Sequence, residues 1–134
     1  MNSLHNLTIS NRQPRSETLR INRTDSNVSS TAKILRFRDE DTRQIVYYIP
    51  SLELTSYGST EKKAFEMLRS SLNGFFGFLN SLSESEMIAE LAKLGWTQKE
   101  RKHREFSRAF IDSNGDLKEF NAVSNKIESL IVEV

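Results

Sequence analysis

Residues 34–57 read ILRFRDEDTRQIVYYIPSLELTSY, and this stretch decides the fold. The stretch begins with the partly alternating residues 34–38, is interrupted by the turn-like residues 39–42, and continues with the β-branched and aromatic residues of 44–49. Two β-rich segments joined by a short polar turn predict an antiparallel hairpin. Pro50 has no N–H for a further ladder bond and therefore ends the second strand. The alternation over 52–57 predicts a third strand.

The period of the apolar pattern changes after Gly58 and predicts a helix over residues 60–80. Its apolar residues recur every three or four positions and mark one helical face: Ala64, Met67, Leu68, Leu72, Phe75, Phe76 and Leu79. Thr60 or Ser59 is expected to accept hydrogen bonds from the unpaired N–H groups of the first turn. Gly74 and Gly77 each cost a helix up to about 1 kcal/mol relative to alanine, so the end of this helix is expected to bend or to pack closely on another backbone.

A second helix is predicted directly after the first. Residues 83–86 read SESE, the pattern of a capping box in which a serine hydroxyl and a glutamate carboxylate each accept from the other's backbone N–H. Its apolar face contains Met87, Ile88, Leu91 and Leu94. Gly95 suits the residue after the helix, where a positive φ is common.

The C-terminal third has a weaker pattern. Residues 97–103 are almost wholly polar, and 112–116 read DSNGD, which predicts a turn. This turn imitates part of a calcium-binding loop but lacks the glutamate at the twelfth position, so calcium is not expected. The β-branched residues of 127–134 predict a last strand.

The N-terminal segment, residues 1–30, is rich in Asn, Ser, Thr and Arg, with scattered aliphatic residues. Ordering a backbone costs about 1–2 kcal/mol per residue, and such a segment buries little apolar area in return. We therefore expect a flexible tail followed by one domain over residues 31–134. The predicted fold class is α+β, with an antiparallel sheet built from three strands, two helices and a C-terminal strand behind a disordered N-terminal tail.

Composition narrows the function. The 134 residues contain 19 Lys and Arg against 18 Asp and Glu, so no global field favours nucleic acid or anionic lipid. The sequence has no cysteine, which fits a reducing compartment, and no apolar run of the length that spans a bilayer. We expect a cytoplasmic protein without membrane contact. No sequence signature of an enzyme, cofactor or metal site occurs, so no catalysis and no cofactor are expected.

The predicted strands and first helix resemble a known family. Over residues of about 33–75, and at most 33–82, they are similar to the partial fold of the HicB family of antitoxins, with the junction YYIPSL at 47–52 leading to YGSTEKKA at 57–64. In that family a Pro-x-Leu step precedes the third strand, and a Gly-polar-Thr turn starts a helix whose alanine packs on the sheet. These roles would fall here to Pro50, Leu52, Gly58, Thr60 and Ala64.

The resemblance implies a binding module that neutralises a protein partner, such as a small RNase toxin. This chain lacks the second proline, the glycine and the cysteine usual in that turn, and no helix-turn-helix or ribbon-helix-helix pattern follows the module. The exposed sheet edge with Tyr57 and the first helix with Phe78 are the expected contact surface. Phe78 lies off the main apolar face, and it is also the residue that favours contact with a second copy of the chain.

A rival hypothesis is weak, non-specific binding of nucleic acid through a cluster of cations around a histidine: Lys99, Arg101, Lys102, His103, Arg104 and Arg108. An imidazole among cations also suits proton transfer during RNA cleavage. A solvated charged strand face explains the same residues without either activity. A third alternative is an interaction domain whose partner is unknown.

Overall fold

The computed structural model describes residues 6–12, 14, 16–22, 27–99, 102–109 and 127–134, without the side chains of residues 99, 102–104 and 109. Within these residues the chain forms eight strands and two helices. Their order is β1 (Thr8–Ser10), β2 (Ser16–Asn22), β3 (Asn27–Arg38), β4 (Ile45–Ile49), β5 (Leu54–Gly58), α1 (Glu61–Ser81), α2 (Glu84–Lys93), β6 (Thr97–Lys99), β7 (Lys102–Ala109) and β8 (Glu128–Glu133). Neighbouring strands pair antiparallel throughout, which confirms the predicted α+β class.

The longest strand, β3, organises the sheet because three strands pair with it. Thr31 lies opposite both Thr18 of β2 and Glu133 of β8, and Leu35 lies opposite both Tyr48 of β4 and Ser129 of β8. Therefore β8 occupies one edge of β3, while β2 and β4 follow each other along the other edge. Neither β2 nor β4 pairs with residues 32–34, so the sheet forks at this point.

The core fills the space between one face of the forked sheet and the two helices. The hairpin branch, β4 and β5, lies under α1, and the other branch continues through β2 and β7 to β6. The largest fully buried apolar side chains come from both branches and both helices: Leu19, Ile21, Ile34, Ile49, Leu68, Leu72, Phe76, Leu79, Met87, Leu91 and Phe106. Burying each such side chain contributes about 1.5–3 kcal/mol, so they supply the main driving force for folding.

The expectation of a flexible tail over residues 1–30 is wrong wherever the structure describes this segment as strand. β1, β2 and the first part of β3 lie within it, and Leu19 and Ile21 of β2 are fully buried. Leu19 and Ile21 alternate with Thr18 and Arg20, which is a strand pattern, but the surrounding segment is mostly polar. The partners that stabilise it are β7 and β8, about a hundred residues away in sequence, so local composition could not reveal them.

The predicted hairpin, helices and last strand are confirmed with small shifts. Thr60 caps α1 by accepting from the N–H of Lys63 at 3.1 Å, and Ser83 with Glu86 forms the capping box of α2. Gly95 has φ of 91°, as expected after a helix. The third strand begins at Leu54, later than expected, because a short 3₁₀ turn, Pro50–Leu52, comes first. The predicted turn at 112–116 lies outside the described residues.

Candidate functional site

The junction between β5 and α1 is built from small residues in close contact. A Cβ added to Gly58 would lie 2.8 Å from the carbonyl carbon of Lys63 and still closer to the backbone N of Ala64. The hydroxyl of the buried Ser56 donates to the carbonyl of Ala64 at 3.2 Å. Glycine, serine and alanine therefore let α1 approach the strand closely, and each has a packing reason independent of any family.

The turn before β5 is fixed from the opposite side by the only tryptophan of the chain. Trp96 is buried, and its indole N–H donates to the carbonyl of Ser51 at 2.9 Å. Leu52, in the same turn, is buried in the core. This contact joins the end of α2 to the start of β5, so the hairpin branch is held from two directions.

Tyr57 lies at the outer edge of this hairpin branch. Among the described strands β5 pairs only with β4, so its other edge carries no strand. The backbone N–H of Tyr57 points away from β4 and donates to the sulfur of Met67 at 3.4 Å, a weak acceptor. The Tyr57 side chain is 49% exposed, on the face opposite the buried Ser56 and Gly58. An exposed aromatic ring beside a strand edge is a feature of peptide-binding surfaces.

Phe78 is equally exposed, at 49%, but it belongs to a different surface. It lies eleven residues beyond Met67 on α1, or about 16 Å along the helix axis at 1.5 Å per residue. Gly74 and Gly77 lie beside it on the outer face of the helix, and a Cβ on either would meet no atom within 4 Å. The structure therefore confirms both predicted aromatic residues as exposed but does not bring them together.

The predicted cationic cluster is described only in part. Lys99 lies in β6, and Lys102, His103 and Arg104 lie in β7, but their side chains are outside the described part of the chain, as is Arg101. A nucleic-acid contact or proton transfer by these residues stays a prediction.

Arg108 has a different role from the one predicted. Its side chain is 15% exposed, and its Nη1 lies 3.0 Å from the Oε1 of Glu17, whose side chain is 2% exposed. Its Nε donates to the carbonyl of Leu94 at 3.0 Å. A guanidinium paired with the buried carboxylate of Glu17 and bonded to the carbonyl of the half-buried Leu94 is not offered to a phosphate, so Arg108 is removed from the proposed nucleic-acid surface.

The buried pair of Glu17 and Arg108 closes the fork in the sheet. The second carboxylate oxygen of Glu17 accepts from the backbone N–H of Lys33 at 3.0 Å, in the gap that β2 and β4 leave on β3. Gly95 leaves room for Arg108, because a Cβ at that position would lie 2.9 Å from its Nε. This pair was not predicted from the sequence. The alternation of a strand does indicate it: Glu17 lies on the same buried face as Leu19 and Ile21, and Arg108 lies on the same buried face as Phe106.

A second ionic contact ties α1 to the last strand. Arg36 on β3 reaches Glu128 of β8 at 2.7 Å and Glu61, in the first turn of α1, at 3.4 Å. The hydrogen bond from Arg36 to Glu128 is the main cause that raises the pKa of Arg36 above its ordinary value. Glu61 also lies where a negative charge favours the helix N-terminus.

A shallow pocket of about 190 Å³ lies between β2, β3 and β7, where Arg20 pairs with Glu105 at 3.2 Å. Ligand pockets usually measure about 300–1,000 Å³.

The described residues contain no group of three His, Cys, Asp or Glu side chains that could hold a metal ion. The carboxylate of Asp39 instead accepts from the N–H and hydroxyl of Thr42 and caps the hairpin turn. No described helix is long and apolar enough to cross a membrane.

Comparison of the chain with models of protein families, with curated proteins and with solved structures gives no match.

Proposed function

We propose that this chain is a non-enzymatic binding module of the HicB-antitoxin type, which binds and neutralises a protein partner such as a small RNase toxin in the cytoplasm. The observation that carries the proposal is the edge of β5. This edge has no neighbouring strand among the described residues, and it presents the half-exposed ring of Tyr57 beside a backbone N–H that donates to the thioether of Met67.

Such an edge suits the addition of an extended segment from a partner. In β-strand addition, main-chain hydrogen bonds provide affinity and side-chain contacts provide selectivity. The backbone groups of Thr55 point in the same direction as those of Tyr57, because the directions alternate along a strand. Replacing the thioether of Met67 by a backbone carbonyl of the partner would improve the hydrogen bond of Tyr57. The tyrosine ring would anchor the partner's side chains.

The scaffold around this edge is rigid, which limits the entropy lost on binding. Gly58, Ser56 and Ala64 fix α1 on β5, and Trp96 fixes the turn before the strand. Pro50, Leu52, Gly58, Thr60 and Ala64 are the residues on which the HicB resemblance rests, and they lie in the turn, the strand and the helix start beside this edge.

The test is binding to a small basic RNase encoded by a gene next to that of this chain, measured by titration calorimetry and by inhibition of RNA cleavage. A gene neighbourhood without such an RNase would count against the proposal. Tyr57→Ala is expected to weaken binding about thirty-fold, because truncating an interface aromatic residue costs about 2 kcal/mol. Ile127→Ala is the matched control, since Ile127 is also a large exposed apolar residue but lies away from the β5 edge. Absence of binding, or equal losses in the two variants, would contradict the proposal.

A further inference from the structure

The second half of α1 has an outer face without charge. Residues 70–83 contain no Asp, Glu, Lys, Arg or His, although 28% of the chain is charged. Five of these residues are exposed on the side of α1 opposite its buried face: Ser70, Gly74, Gly77, Phe78 and Ser81. Interface cores are depleted of charge and enriched in aromatic residues, and this face has both properties.

The two glycines on this face have no role within the described part of the chain. Neither has a positive φ, and a Cβ on either would meet no atom within 4 Å. Each glycine costs the helix about 1 kcal/mol relative to alanine. A helix that carries two such glycines beside an exposed phenylalanine is suited to the close approach of another backbone from outside the chain.

The exposed small residues also form a symmetric pattern. Ser70, Gly74, Gly77 and Ser81 are spaced four, three and four residues apart, so the pattern reads the same in both directions along the helix. A two-fold axis between residues 75 and 76 would place each serine opposite the other serine and each glycine opposite the other glycine. A two-fold contact requires this reciprocity, since residue i must meet residue j while j meets i.

We propose that a second copy of this chain packs on this face, with the two α1 helices antiparallel across that axis. The glycines allow the helix axes to approach to about 8 Å, the short end of the usual range. The ring of Phe78 of each copy then lies over the Gly74 region of the other. An uncharged face meets its own copy without repulsion between like charges.

This contact is separate from the proposed toxin-binding edge. Phe78 lies about 16 Å along α1 from Met67, which adjoins Tyr57. The charged first half of α1, from Glu61 to Arg69, lies outside the symmetric segment. The inference therefore does not depend on the identity of the protein partner, and a chain that binds no toxin still pairs with itself.

The first test measures the mass of the full chain by sedimentation equilibrium over the micromolar range. We expect a concentration-dependent rise from 15.4 kDa towards twice that value. Gly77→Lys should abolish the rise, because it brings two lysines together across the axis. This variant should still fold, since the position faces open space and lysine forms helices better than glycine. Ala89→Lys, at an exposed position of α2, is the control and should leave self-association unchanged.

The second test reports the register of the pairing by cross-linking in a chain without native cysteine. The double variant Ser70→Cys/Ser81→Cys should form intermolecular disulfides on oxidation. Either single variant should not, because its two thiols would lie about 16 Å apart along the axis, far beyond disulfide reach. A monomeric mass at every concentration would overturn the proposal, as would association insensitive to Gly77→Lys. Efficient disulfides in the single variants would overturn the antiparallel arrangement.

Discussion

Among single residues, Glu17 and Arg108 form a buried ion pair that joins β2, β3 and β7 to the end of α2. Glu17 accepts from the Lys33 N–H at the fork in the sheet, Arg108 donates to the Leu94 carbonyl at the end of α2, and the two side chains neutralise each other's charge. A buried ion pair of this kind adds little net stability compared with apolar residues of the same volume. Loss of one partner is severe, however, because the other charge stays buried alone.

We predict that Glu17→Ala lowers the free energy of unfolding by about 3–5 kcal/mol, the usual cost of leaving a buried charge unpaired. Urea unfolding followed by circular dichroism measures this loss. Arg20→Ala removes the more exposed pair with Glu105 and should cost at most about 1 kcal/mol. Similar losses in the two variants would show that the fork does not depend on Glu17.

Two exposed carboxylates make the stability of the fold depend on pH in the acidic range. Hydrogen bonds from Thr42 lower the pKa of Asp39, and hydrogen bonds from Ser83 lower the pKa of Glu86. Since each pKa is lower in the folded protein, the stabilisation is complete above the ordinary values of 3.8 and 4.5. It is lost as the pH falls through the lower folded values.

The double variant Asp39→Asn/Glu86→Gln should therefore show a shallower fall of the melting temperature with decreasing pH below about 4.5 than the natural chain does. Glutamine can still accept within a capping box, so α2 keeps its cap. Differential scanning calorimetry across the acidic range measures both slopes. Identical slopes would mean that these hydrogen bonds persist in the unfolded chain or do not form.

Among the secondary-structure elements, α1 has a glycine on each of two sides: Gly58 of β5 lies beneath its start, and Gly74 lies on its outer face. Gly58 is needed because the backbone of α1 lies directly above it, whereas Gly74 faces open space. Gly58→Ala should cost about 1–3 kcal/mol through overpacking. Gly74→Ala should stabilise the monomer by up to about 1 kcal/mol through helix propensity. Thermal unfolding at low protein concentration measures both, and the same sign for the two variants would contradict this assignment.

Elements whose signals are local were predictable from sequence, and those that depend on distant partners were not. The hairpin follows from the polar residues 39–42 between two β-rich segments, and both helix starts follow from Thr60 and Ser83. β2 and β7 were not predicted as strands, because they pair with each other across about ninety residues of sequence. Exposure of Tyr57 and Phe78 could be inferred from their positions, but their separation required the structure.

For the protein as a whole, the fork makes β3 a shared support for two different branches. The β4, β5 and α1 branch carries both exposed aromatic residues, and the β2, β7 and β6 branch carries those predicted cations that the structure describes in strands, Lys99, Lys102 and Arg104. The two rival functions therefore place their contacts on opposite branches of one sheet. A measurement that locates the contact on the chain separates them, whatever the structure of the partner.

Hydrogen exchange of backbone amides provides that location. We predict that addition of a small basic RNase that passes the calorimetric binding test slows exchange at residues 54–58 and leaves residues 102–109 unchanged, because the partner adds a strand to the β5 edge. Protection of residues 102–109 with unchanged exchange at 54–58 would contradict the proposed binding edge.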